Sequence, residues 1–119
     1  MSTQVTINDV IPKTQITATA GQTVFTTNWT ANLTFSSSTS VNTALSTGQS
    51  TTVAVLASQG STPYYSSAVQ IDGTSITPYW QGGSAPSKGN ASGYDVYTYT
   101  IIKTSSTPKY TVLETQTQF

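Results

Sequence analysis

Polar and apolar residues alternate in twos along much of this chain, and no window sustains the three-and-four spacing of an amphipathic helix, so strands are expected nearly throughout. Gln4 to Ile7 alternates before Pro12 interrupts, which predicts an edge strand or an arm. Thr14 to Thr19 and Gln22 to Thr27 flank Ala20-Gly21 as a hairpin, and Asn32 to Phe35 follows Trp29 as a short strand. Ser36 to Ser50 is mostly serine, threonine and asparagine and reads as loop. Thr51 to Ala57 is apolar on both faces, as a central strand requires. Tyr64 to Ile71 and Thr74 to Tyr79 bracket Asp72-Gly73, a dipeptide suited to the positive φ values of a type I′ turn. The last two strands are Tyr94 to Thr104 and Tyr110 to Gln118, the first apolar enough on both faces to be covered twice, once by a second subunit.

The fold class that follows is all-β, a compact antiparallel sandwich or jelly roll of about 8–10 short strands with an extended N-terminal segment. At 119 residues the chain is one domain's worth, divided as residues 1–25 for docking and 26–119 for the sandwich module. The expected core is Val53, Val55, Leu56, Ile71, Ile76, Ile101, Ile102 and Leu113.

Composition narrows the function. There is no cysteine, histidine or arginine; the four bases are Lys13, Lys88, Lys103 and Lys109, and the four acids are Asp9, Asp72, Asp95 and Glu114. Disulfides, Cys/His zinc sites and a histidine base are excluded, and no cofactor is expected. Zero net charge without arginine argues against nucleic acid. The apolar runs are too short for membrane insertion, and the start lacks the regions of a signal peptide, so synthesis without standard export is expected. Threonine and serine number 42 of 119 residues, so either hydroxyls carry the hydration or neighbouring subunits cover the surface. Disorder is the poorer reading, since seven tyrosines, two tryptophans and three phenylalanines accompany abundant β-formers.

Three constellations invite chemistry. Tyr64, Tyr65, Tyr79 and Trp80, with Tyr97 and Tyr99, would serve as a platform for a host surface glycan or as subunit contacts; the simpler alternative is core packing, because such rings bury large areas. Asp72 with Asp95 or Glu114 would make a glycosidase pair if held about 5 to 10 Å apart. Against this, Asp72 already has a turn role and Asp95 beside Gly93 is suited to accepting backbone amides. The Gly82-Gly83 and Gly89 loop lacks the Gly-Lys-Ser/Thr ending of a phosphate loop and reads as a turn-rich tip. The expectation is a protein without enzymatic activity.

From about Thr51 to Phe119 the chain carries Pro63-Tyr64-Tyr65, Gln70-Ile71-Asp72-Gly73, Trp80-Gln81-Gly82-Gly83, Ala85-Pro86, Gly89-Asn90-Ala91-Ser92, Asp95-Val96-Tyr97, Ile101-Ile102-Lys103-Thr104, Thr111-Val112-Leu113 and Gln116-Thr117-Gln118-Phe119. In order and spacing these resemble a module at the ends of virion proteins of tailed bacteriophages, particularly those of marine and cyanobacterial hosts. Thr6 to Gln15 with Ala18 to Phe25 likewise resembles the start of phage tail-fibre and appendage proteins, near the virion-attachment end. The resemblance implies a virion structural protein on the particle exterior, assembled in the host cytoplasm as a homotrimer or other symmetric homo-oligomer. It implies docking on other virion proteins, capsid or tail base, through Val5, Ile7, Val10, Ile11, Ile16, Val24 and Phe25. In fibres the two segments are usually separated by a long shaft, whereas here only Thr26 to Ser50 intervenes, which gives weight to a capsid decoration subunit or a receptor-binding knob.

Overall fold

Two four-stranded sheets face one another across a single apolar layer in the computed structural model, which describes residues 3–7, 28–34 and 40–119. The first contains β1 (Thr3–Ile7), β2 (Trp29–Leu33), β4 (Ser66–Ile71) and β5 (Thr74–Ile76), in the order β1-β2-β4-β5. The second contains β3 (Ser50–Ser58), β6 (Tyr79–Trp80), β7 (Tyr94–Ser105) and β8 (Lys109–Gln118), in the order β3-β7-β8-β6. The all-β expectation holds. The sheets are mixed rather than purely antiparallel: β1 with β2, β2 with β4, and β6 with β8 run parallel. Parallel neighbours need crossovers: between β2 and β4 the chain crosses to β3 in the second sheet, and between β6 and β8 it runs through β7 of their own sheet.

The core forms where residues two apart on facing strands meet. Trp29, Ala31, Leu33, Val69 and Ile71 from the first sheet pack on Val53, Val55, Ala57, Tyr97, Tyr99, Ile101 and Val112 from the second. Trp29 and Tyr97 meet edge to face with ring centroids 5.2 Å apart, a favoured geometry for two aromatic quadrupoles. Of the expected core, Val53, Val55, Ile71 and Ile101 are buried and Ile76 packs partly against them. Leu56 and Ile102 are only half-buried, and Leu113 points outward at 43% exposure. Pairing explains the exchange: Val112 is opposite Ile101 in the core, so the two-residue period turns Leu113 out and Glu114 in.

Asp72 and Gly73 both take positive φ, 51° and 81°, and close the β4–β5 hairpin as their sequence predicts. The strand expected from Thr74 to Tyr79 is instead split between the two sheets, with Pro78, which has no amide to donate, between β5 and β6. The segment read as loop contains a one-turn helix, α1 (Val41–Ala44), with Val41 and Leu45 buried. Its start is capped by Ser40, whose Oγ accepts from the Thr43 amide, and by Asp72, whose carboxylate accepts from the Val41 and Asn42 amides at 2.9 and 3.1 Å. Its end is held by buried Lys103, whose Nζ donates to the Asn42 and Leu45 carbonyls, both at 2.9 Å. An acid at the start and a cation at the end oppose the helix dipole at each terminus.

The long connection from β6 to β7 opens with a 3₁₀ turn, Gln81–Gly83. It is pinned by buried Asp95, whose Oδ2 accepts from the Asn90 amide and from Gln59 Nε2. Gln59 also clasps Tyr64 through both backbone groups. Gly89 is closed in by the Tyr64 carbonyl, Gln59 and Asp95, leaving no room for a Cβ.

Candidate functional site

The inner face of the second sheet holds three ionisable groups that strands normally turn to solvent. Asp95 and Lys103 lie buried near opposite ends of β7, and Glu114 sits on β8 between them. Lys103 is satisfied by two backbone carbonyls, whereas Asp95 is engaged through Oδ2 alone and its buried Oδ1 receives no hydrogen bond. Glu114 is 1% exposed and neither carboxyl oxygen receives a hydrogen bond. Burial pushes its carboxyl up to about 8, with the neighbouring Ser66 and Tyr99 hydroxyls pulling the other way, which favours the neutral form at pH 7. Tyr99 donates to Ser66 Oγ at 2.9 Å, and burial raises its phenol far above the ordinary range.

The outer face of the same sheet follows from the register, since directly paired residues share a side. Its rows are Ser50, Ile102 and Thr111; Thr52, Thr100, Leu113 and Tyr79; Ala54, Thr98 and Thr115; Leu56, Val96 and Thr117. A last row pairs Ser58 with Tyr94, and Tyr94 exchanges both backbone hydrogen bonds with Phe119. Apart from Lys109 beside the β7–β8 turn, these strands turn no charged residue outward. All four large apolar side chains exposed among the described residues lie here: Tyr79 at 68%, Tyr94 at 51%, Leu113 at 43% and Phe119 at 70%. This is an uncharged surface of threonine, aliphatic and aromatic groups, suited to contact with another neutral surface.

A second feature is a cleft of about 550 Å³ where α1, the β4–β5 hairpin and the β7–β8 turn converge. Ile71, Ile76 and Pro108 give it apolar walls, and Asp72, Lys109 and Tyr110 are the chemistry-bearing residues at its margin. Both oxygens of Asp72 are engaged by α1, whereas the buried Tyr110 hydroxyl has no partner.

The residues singled out from sequence are dispersed. Tyr97 and Tyr99 are fully buried core residues and offer no surface to a glycan or a second subunit, because β7 turns its odd-numbered positions inward. Tyr64 and Tyr65 pack partly against the core, and Trp80, opposite Glu114, does the same. Tyr79 alone of the six projects freely. Asp72 and Asp95 do not form a pair: Asp72 shares α1 with Lys103, and Lys103 lies eight positions from Asp95 on β7, about 26 Å in an extended strand. Glu114 is opposite Tyr99, about 13 Å along β7 from Asp95. Asp95 does accept a backbone amide, as its position beside Gly93 predicts.

Val5 and Ile7 belong to β1, which is built into the first sheet rather than standing apart as an arm. Val10, Ile11, Ile16, Val24 and Phe25, and the hairpin expected around Ala20-Gly21, lie outside the described residues. Leu113, Tyr94 and Phe119 were not singled out, because alternation shows that two faces exist without showing which one is covered. Comparison with protein-family models, curated proteins and solved structures finds no match in any of the three.

Proposed function

We propose that this chain is a non-enzymatic structural subunit of a bacteriophage virion, carried on the particle exterior as a symmetric β-rich appendage, fibre or decoration subunit and attached through its N-terminal segment. The observation that carries the reading is the reversed polarity of the second sheet, with Asp95, Lys103 and Glu114 inward and an uncharged face outward. A surface that turns tyrosine, phenylalanine and leucine to solvent while burying its charges is suited to being covered by neighbours. The sequence resemblance supplies the virion context. Among the described residues β1 ends its sheet, which supports the attachment mode, because an edge strand offers backbone groups to a partner.

Particle composition tests this. Purified virions should contain the full chain, and a chain lacking residues 2–25, which loses β1, should be missing from them. Normal occupancy by the truncated chain would overturn N-terminal docking, and absence of the full chain from particles would overturn the virion role. Copy number then separates the forms, with hundreds per particle for a capsid decoration protein and tens for a tail appendage. The cleft beside Tyr110 favours a second reading, a receptor-binding knob for host surface glycan, which requires the isolated protein to bind host envelope.

A further inference from the structure

The outer face of the β3-β7-β8-β6 sheet assigns itself a partner of the same kind: we propose that two copies of this chain pack these faces together about a two-fold axis. The proposal rests on the self-assembling subunit reading above and names the surface that performs it. Three observations converge. First, the exposed Tyr79, Tyr94, Leu113 and Phe119 all lie on this one face. Second, the charged residues interior to β7 and β8 all point away from it, so two copies approach without like-charge repulsion and without stripping water from an unpaired ion. A partner relying on charge would find only Lys109, beside the β7–β8 turn, to complement. Third, the 9, 2, 12 and 10 residues of β3, β6, β7 and β8, at the usual rise and strand spacing, define a face of about 520 Å² per copy, or about 1,000 Å² in total, which reaches the area that separates specific contacts from casual ones.

Geometry favours the two-fold. Two sheets pack face to face about 10 Å apart with side chains interdigitating, and an isologous contact needs one patch that complements itself. The central row of Ala54, Thr98 and Thr115 is small, while Leu56, Val96, Leu113 and Tyr79 stand on either side of it. Bulky rows flanking a low one let each copy seat its aliphatic groups beside the other's threonines. Such a pair is itself a building block for a larger symmetric ring.

The chain has no cysteine, so single introduced cysteines are clean probes. Light scattering of the full chain at about 50 μM should give a two-copy mass, and Leu113→Lys and Thr98→Lys should each weaken association at least tenfold without shifting the melting temperature by more than about 2 °C. Thr62→Lys, on the exposed β3–β4 connection outside the rows of this face, should leave association unchanged. Spin labels on Thr98→Cys should report a short label-to-label separation, and those on Thr62→Cys a long one. A monomeric wild-type chain, or two-copy Leu113→Lys and Thr98→Lys proteins with a long separation at position 98, would overturn the proposal. Particle incorporation of the same variants keeps the two readings separate. An assembly that persists through another surface and still enters virions removes this interface alone, whereas a two-copy protein missing from virions removes the virion role alone.

Discussion

Glu114 shows how a single side chain records a decision made elsewhere in the fold. Its strand partner Tyr99 and its neighbour Val112 belong to the core, so the strand period carries the carboxyl inward with them. Burial holds its proton to about pH 8, against an ordinary value near 4.5. A carboxyl whose folded value is raised binds more protons folded than unfolded between those limits, so stability is highest below about pH 4.5 and falls until about pH 8, by an order of a few kcal/mol. Glu114→Gln should flatten that slope and raise the melting temperature at pH 8 more than at pH 5, as calorimetry across the range would show. An equal shift at both values would mean that the carboxyl is not the source. Sequence displays the acid but not its depth, because Leu113 beside it is the more natural residue to place inside.

At the scale of elements, α1 is the clearest case of tertiary contacts overriding local preference. Four residues cannot hold a helix by themselves, since nucleation fixes several dihedrals for one hydrogen bond. Here Asp72, from a hairpin 31 positions away, and Lys103, from β7, occupy its two ends. Asp72→Ala should therefore remove two charge-assisted bonds and cost about 1 to 3 kcal/mol, with new amide exchange at Val41 and Asn42. Protected amides in that variant would show that Ser40 suffices as the cap. The hairpin turn was legible because Asp-Gly acts within its own four residues. The helix was not, because both of its clamps are distant in sequence. The split of Thr74 to Tyr79 escaped notice for a related reason: Pro78 marks a break, but not the sheet to which the chain goes next.

For the whole molecule, the distribution of charge matters more than its total. The chain is neutral with four bases and four acids, yet Asp95, Lys103 and Glu114 are buried, which leaves Lys109, beside the β7–β8 turn, as the one charged residue that β7 and β8 turn outward. Association through that face should not weaken as salt rises from about 50 to about 500 mM, because screening acts only on charges. A steep loss in sedimentation experiments would point to a contact involving Lys88, Lys109 or Asp72 instead. By itself, the sequence determined the all-β class, the long strands of the second sheet, the Asp72-Gly73 turn and the scarcity of reactive groups, since each follows from short-range periodicity, turn stereochemistry or composition. The tertiary structure alone decided which face of β7 and β8 is inside, that two of the chosen tyrosines are core, and that Asp95 stands apart from Asp72 and from Glu114. Alternation defines two faces for every strand, and only the partner packed against one of them distinguishes interior from surface.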